Sequence, residues 1–434
     1  MLLPMPRLPT LSAALRWLLL HRQLVQQVRA PLRSRGLNWL EQHWAAASKA
    51  WSAGTGNAPI LLYSQVAWDD VWQRPQEEAR GLARQGRTVV FVSPVQLHQV
   101  AGALNGRWKP ERFEQHGRGR LFIFSPLILS GEYRVERVRK INRAILTQAL
   151  LPFFEYPAHA LTNSPFTGTL FARLRPELLT MEWIDDFCAF DWSPKESRHE
   201  EARLLQQLCG GLAGTHQLAD AYNDRVPQGV PYFPSGVDVE KLTRPAAEPE
   251  DLRALPHPRL LYVGTLNDRL DGALIARVAE EFPAASVVLV GPRRETFRIP
   301  RTPPNLHFLG LKPHDALPGY YQHCTVGLMP FADNEAARAI NPIKTLEYLA
   351  VGLPTLSTPV PDVERFYSSV VEIAEPSQWP ERLRRLLAQP GDTEARRQFA
   401  RGKSWSTLTA TLHEYLRTLE QRHGNTLRKE SPRS

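Results

Sequence analysis

Cysteine is scarce. Cys188, Cys209 and Cys324 are the three in 434 residues, far apart and never in a C-x-x-C pair. An odd count at such spacing excludes a disulfide framework and a thiolate zinc site. It leaves idle or buried thiols in a reducing compartment. Long apolar runs are also missing. None reaches the ~18 residues of a membrane span, and the most apolar stretch, Trp17–Leu20, lies between Arg16 and Arg22. The thirteen histidines never form H-x-x-x-H or H-E-x-x-H, so no metal site is expected. G-x-S-x-G and G-x4-G-K-[ST] are absent. Gly54-Thr55-Gly56 follows no strand and has no third glycine in register. Hydrolase, NTPase and dinucleotide-binding readings are weakened accordingly. Hydrophobic residues at 43% and charged residues at 22% exclude a disordered or fibrous chain.

What is present begins with charge. The net +9 is concentrated at the ends. Residues 1–58 carry seven basic side chains against Glu41, a net of +6, and residues 421–434 carry Arg422, Arg428, Lys429 and Arg433 against Glu430, a net of +3. The body is therefore formally neutral. This does not look like a nucleic-acid groove, so no nucleic-acid partner is expected; it fits a globular enzyme whose ends are drawn to an anionic surface. Leu11–Val28 reads as a helix with Ala14, Trp17, Leu18, Leu24, Val25 and Val28 on one side and Arg16, Arg22, Gln23, Gln26 and Arg29 on the other. It either lies in the interface of an anionic membrane or docks on the protein's own surface. Arg16 interrupts the apolar stretch, which argues against a cleaved signal peptide. A cytoplasmic location, peripheral at the inner face of the membrane, is the resulting expectation.

At ~100–200 residues per domain, 434 residues predict two or three domains. Ser52–Asn57 reads as a linker. From residue 59 short apolar strands alternate with helical segments. The first set is Ile60–Ser64, Thr88–Val92, Leu121–Phe124, Ala160–Asn163, Leu178–Ile184 and Gly211–Thr215. The second is Leu260–Val263, Ser286–Val290, Leu306–Leu309, Thr325–Met329, Thr355–Ser357 and Val370–Ile373. Between them Leu242–Pro258 holds four prolines, a boundary by composition. The expected architecture is α/β: two doubly wound, Rossmann-like domains facing across a cleft, with an N-terminal helical extension. The expected divisions are a basic extension 1–58, a first domain 59–240, a second domain 241–395, a terminal helix 396–420 and a basic tail 421–434. Ligands of such sheets bind beyond the carboxyl ends of the strands, so the facing loops are where chemistry is sought.

The most informative stretch runs from Asn341 to Pro354, N-P-I-K-T-L-E-Y-L-A-V-G-L-P. Asn341 suits an N-cap, Pro342 suits the first helical position, and Gly352 with Pro354 ends the helix. Such a helix start offers free N–H groups to a phosphate, and Lys344 in the first turn adds a full charge. Glu347, three residues on, shares a face with Lys344. It can accept hydrogen bonds from two vicinal ribose hydroxyls, or simply pair with Lys344 at the surface.

The P-x-K-x-x-E-Y-L-A-x-G-x-P string resembles the donor-site helix of GT-B glycosyltransferases, especially the family 4-like bacterial enzymes of surface polysaccharide assembly. Leu260-Leu261-Tyr262-Val263-Gly264, Val288–Pro292, Asn305–Gly310, Ser235-Gly236-Val237-Asp238 and Ser404-Trp405 resemble further segments of that family in order and spacing. The resemblance covers roughly residues 59–420. It implies a nucleotide-sugar donor, UDP- or GDP-linked and bound as a substrate with no separate cofactor, and a saccharide or lipid-linked acceptor. Donor contacts would fall on Lys344, Glu347, Arg269, Thr265, Gly264, Asn341 and Pro342. Fixed positive charge there would stabilise the departing diphosphate without a metal. One departure stands out: many family members carry a glutamate eight residues before the one matched by Glu347, and here that position is Ala339. Sugar identity and stereochemical outcome stay open.

In the first domain, Trp68-Asp69-Asp70-Val71-Trp72-Gln73-Arg74-Pro75-Gln76 follows the first strand. Trp68 and Trp72 suit stacking on sugar faces and Arg74 an anionic acceptor, the alternative being a packed loop with an N-cap. Asp185 and Asp186 end another strand. One of them is a candidate base for an inverting transfer, the alternative being caps of the next helix. The expected function is transfer of a sugar from a nucleotide sugar in surface polysaccharide biosynthesis. The competing readings are a GT-B-fold sugar-nucleotide 2-epimerase and a non-catalytic partner in a polysaccharide assembly complex.

Overall fold

The computed structural model describes residues 36–69, 73–97, 111–189, 193–334, 337 and 343–430, the last six as backbone. The expected helix Leu11–Val28, the residues Trp72, Asn341 and Pro342, and the Ala339 position lie outside them. The chain forms two compact units: residues up to Phe233 together with Thr409 onward, and Pro234–Leu408.

The first unit is built on β1 (Ile60–Tyr63), β2 (Thr88–Val92), β3 (Glu111–His116), β4 (Gly119–Phe124), β5 (His159–Thr162), β6 (Leu178–Trp183) and β7 (Gly210–Ala213). Their order in the sheet is β3-β4-β2-β1-β5-β6-β7, parallel except for β3 against β4. β1 and β2, ILLY and TVVFV, are buried at every position. A parallel strand covered on both faces reads in just this way, as an uninterrupted apolar run. β3, with sequence ERFEQH, did not read as a strand. It is a half-exposed edge, held where Phe113 stacks on Phe122 with centroids 4.8 Å apart.

Of the expected 1–58 extension, the described part packs into this unit. Trp44 is fully buried, meets Phe153 edge-on at 5.6 Å and donates its indole N–H to the Phe153 carbonyl at 2.8 Å. The helix Ala45–Ser52 continues from it, and Ser48 donates to the Pro157 carbonyl. The terminal helix Trp405–Glu430 also contributes to the first unit. The Tyr415 hydroxyl accepts from Gly211 N at 2.9 Å and donates to Gly211 O at 2.8 Å, closing the free edge of β7. One turn on, Glu420 enters the core and meets Arg87 at 2.9 Å and His159 at 3.2 Å.

The second unit carries β8 (Arg259–Val263), β9 (Ser286–Val290), β10 (Leu306–Gly310), β11 (Val326–Met329), β12 (Thr355–Ser357) and β13 (Glu372–Ile373). All are parallel, in the order β10-β9-β8-β11-β12-β13. This is a doubly wound sheet whose direction of winding reverses between β8 and β11, the switch point where such sheets bind ligands.

Candidate active site

The helix Ile343–Val351 follows β11 and is buried along most of its length. Its Tyr348 ring lies over Gly327 of β11, where a Cβ would stand 2.6 Å from the ring; only glycine admits it. The Tyr348 hydroxyl accepts from Val263 N at 2.8 Å and donates to Leu261 O at 3.3 Å, so the helix is fastened to the end of β8. That anchorage fixes the first turn. Lys344 Nζ donates to Glu347 Oε2 at 2.7 Å. The pair forms as spacing predicts, yet it is not a solvated surface pair: Glu347 is 6% exposed. The buried Tyr321 hydroxyl donates to the same carboxylate oxygen, and burial, then the Glu347 charge, push that phenol well up. His314 lies within the field of both Lys344 and Glu347; burial, then Lys241 at 2.9 Å, hold its imidazole below the usual range.

The loop after β8 carries the other predicted donor residues. Gly264 N bonds to Val290 O at 2.9 Å, and Gly291 lies so close that a Cβ there would stand 1.9 Å from Gly264 O. Glycine at 291 is thus what lets the loops after β8 and β9 touch. Thr265 is exposed, and the Tyr262 hydroxyl donates to its carbonyl at 3.4 Å. Arg269 is exposed, and its carbonyl accepts from Ala332 N at 2.8 Å, tying this loop to the one after β11. Gly264, Thr265 and Arg269 therefore stand at the same end of the sheet as the start of the Lys344 helix. Arg293, in the loop after β9, lies over the Phe297 and Phe308 rings.

In the first unit the picture differs from expectation. Trp68 is a core residue, 5% exposed, with its ring edge-on to Phe91 at 4.9 Å. Arg74 is buried too. It pairs with Glu78 at 2.8 Å and with Glu182, donates to Phe233 O at 2.7 Å, and lies 4.6 Å from the Phe233 ring centroid. The guanidinium is spent on the protein's own carboxylates and serves as a strut. The sequence hid this because Glu182 lies inside an apolar strand and Glu78 one turn along the helix. Asp185 Oδ1 accepts from Asp186 N at 2.9 Å, a local turn contact, whereas Asp186 Oδ2 accepts from Arg198 at 2.9 Å. Arg198 also binds Glu201, which takes the Tyr222 hydroxyl at 2.7 Å, beneath a Trp183–Tyr222 stack 4.2 Å apart. None of Trp68, Arg74, Asp185 and Asp186 lines the cavity of about 250 Å3 at the ends of β1 and β5. Tyr321, Tyr348 and that cavity were not anticipated, since their partners are distant in sequence. Among the described residues no group of three or more His, Cys, Asp or Glu side chains is arranged to hold a metal ion.

The profile of the glycosyl transferases group 1 matches residues 257–389, which hold β8 to β13 and the Lys344 helix. The second unit carries a glycosyl transferases group 1 domain. Over 243 residues, 51% of this chain, the protein is 26% identical to TuaH, a Bacillus subtilis (strain 168) protein assigned to teichuronic acid biosynthesis as a glycosyltransferase. The chain matches 60% of that relative's length. Among solved structures, sucrose-phosphate synthase from Thermosynechococcus elongatus superposes with a TM-score of 0.63 at 16% identity, over 84% of this chain and 100% of its own. A trehalose-6-phosphate enzyme from E. coli bound with UDP-2-fluoro glucose gives 0.54 at 13% identity, over 86% and 100%. A glycosyltransferase from Rickettsia africae ESF-5 gives 0.56 at 11%, over 84% and 99%. At such identities the likeness shows the GT-B fold. Around the glycosyl transferases group 1 domain, then, the chain has the α/β build expected of it, two Rossmann-like sheets with N-terminal helices.

Proposed function

We propose that this protein is a glycosyltransferase. It moves a sugar from a UDP- or GDP-linked donor to a saccharide or lipid-linked saccharide acceptor in surface polysaccharide biosynthesis. The observation that carries the reading is the Lys344–Glu347–Tyr321 constellation at the first turn of a buried helix, inside a glycosyl transferases group 1 domain. On this reading the Lys344 ammonium, the Arg269 guanidinium and the helix start hold the diphosphate and stabilise its departure. Glu347, fixed from behind by Tyr321, accepts the ribose hydroxyls, while Gly264 and Thr265 bring backbone close to the donor. Asp186 is the candidate base for an inverting transfer. The polysaccharide context is supported by the role assigned to the B. subtilis relative.

The test is a thermal-shift screen against UDP, GDP, ADP and TDP, because a ligand that binds only the folded protein raises its apparent stability. One nucleoside diphosphate is expected to stabilise the protein in a concentration-dependent way; stabilisation by none of them refutes the reading. The basic N-terminal segment is proposed to hold the protein at the inner face of the membrane. No described helix is long and apolar enough to cross one. Because Trp44 and Ser48 belong to the first unit's core, the deletion that tests this stops at residue 35. It should move the protein from the membrane fraction to the supernatant, and unchanged fractionation refutes the membrane role.

A further inference from the structure

Two cavities sit side by side in the first unit, of about 250 Å3 and about 310 Å3. The first opens where β1 and β5 end, at Ser64, Gln65 and Ser164. The second has no strand-end residue in its wall and lies between the helices Glu136–Leu150 and Ser197–Leu205. Arg139, Arg143, Phe166 and Pro194 line both. Sites for small ligands usually span about 300–1,000 Å3. Each cavity by itself therefore suits one compact unit, and the pair suits a ligand of at least two.

The walls state what kind of ligand. Arg139 meets Glu196 at 2.5 Å, Lys140 meets Glu136 at 2.6 Å, Arg143 meets Glu200 at 3.1 Å and Arg203 reaches Glu200 at 3.7 Å. Arg143 and Arg203 share Glu200, and Glu132 in the first cavity's wall brings the carboxylates along the path to four, as many as the cations. A phosphate or diphosphate is held by charge-assisted bonds where positive charge exceeds the carboxylates around it, and the described walls of this path carry no such excess. Paired guanidinium and carboxylate groups instead present donors and acceptors side by side, the array that vicinal hydroxyls satisfy. Phe166, on the shared wall and edge-on to Tyr133 at 6.2 Å, adds an aromatic face for the apolar side of a pyranose ring.

We infer that the two cavities form one acceptor channel that reads a neutral oligosaccharide of two or more sugar units. The growing end would enter the cavity at the strand ends and the preceding unit would lie in the outer one. This rests on the glycosyltransferase reading and adds to it: what the first unit recognises is a stretch of glycan, not a sugar phosphate or a lipid diphosphate head.

The test is binding of the full chain to an array of neutral, uronic and phosphorylated glycans of one to six units, followed by calorimetry of the best neutral series. The expected result is capture of neutral glycans, with affinity rising tenfold or more from one unit to two. In Phe166→Ala, and independently in the exposed outer-wall variant Arg203→Ala, that gain should shrink below threefold. Capture restricted to phosphorylated or uronic glycans overturns the inference, as do an absence of capture, equal affinity for one unit and two, and an undiminished gain in both variants. Binding of nucleoside diphosphates is scored separately. Loss of glycan capture with nucleotide binding intact sinks the channel alone, whereas no nucleotide binding sinks the transferase reading.

Discussion

Lys344 Nζ stands 2.7 Å from Glu347 Oε2, and the buried Tyr321 hydroxyl donates to the same oxygen. One carboxylate oxygen therefore carries both the cation proposed to face the diphosphate and the strut that holds the group in place. A charged pair at this spacing on an exposed helix would be worth a few tenths of a kcal/mol. Here Glu347 is almost out of water, so orientation matters more than net attraction.

Lys344→Ala should weaken binding of the preferred nucleoside diphosphate by more than tenfold, or more than about 1.4 kcal/mol. Because three-quarters of the Lys344 side chain is buried and it pairs with the buried Glu347, the melting temperature should fall as well, so binding is measured well below it. Titration calorimetry on the folded variant gives the answer; wild-type affinity would refute the donor-helix assignment.

Tyr348→Phe tests the fastening rather than the chemistry. The lost hydroxyl leaves the Val263 N–H, buried at the switch point, without its acceptor. Leaving such a donor unsatisfied costs about 1–3 kcal/mol. Urea denaturation should show that loss, together with a rise in the donor Kd as the first turn of the helix drifts. Full stability would mean that the strand end finds another partner.

The buried cluster of Glu420, Arg87 and His159 predicts a pH dependence. Burial alone would lower the His159 pKa, but hydrogen bonds with Cys209 and Glu420 raise it to about 9. The unfolded value is 6.5, so this proton's contribution is complete below about 6.5 and is lost as pH rises through about 9. Burial opposes ionisation of Glu420, yet His159 and Arg87 hold it below 4.5, so its contribution is present above 4.5 and fades as pH falls through the folded value. Melting curves should therefore decline on the alkaline side, and His159→Gln should flatten that limb. Glu420→Ala should cost about 3–5 kcal/mol, the usual penalty for stranding a buried charge. An alkaline limb of equal slope in His159→Gln would show that another group sets it.

The sheets were legible because their central strands are covered on both faces. Runs such as Thr88–Val92 and Ser286–Val290 have no other economical use, and their expected bounds match the observed ones. The Lys344 helix was legible from its pattern, and its observed span, Ile343–Val351, overlaps the expected one. Strand β3 was not, since an edge strand half in water carries the same charged residues as a loop. Trp68 and Arg74 misled for a related reason. An aromatic–basic loop after a strand has one sequence whether it faces a ligand or turns inward, and what turned it inward, Phe91 and Glu182, lies elsewhere in the chain. The two cavities of the first unit could not be read at all. Their shared wall joins Arg139, Phe166 and Pro194, which no local pattern connects.

Asp186 is where the proposed chemistry is most exposed to refutation. Its carboxylate is tied to Arg198 at 2.9 Å, and that side chain is half exposed, so the tie can be exchanged for a substrate hydroxyl at modest cost. General-base catalysis typically supplies 10²–10⁴ in rate. Asp186→Asn should then lower kcat by at least about 100-fold while KM for the nucleotide sugar and the melting temperature stay near wild type, because asparagine keeps the shape and a hydrogen bond to Arg198. Asp185→Asn should have a far smaller effect, since that side chain accepts from the neighbouring Asp186 N–H in a contact local to the turn. Steady-state kinetics on the two variants decides between them. If Asp186→Asn turns over at the wild-type rate, the carboxylate is a turn residue held by Arg198. The hydroxyl's proton must then leave by another route, as it does when the departing diphosphate itself takes it in a retaining transfer.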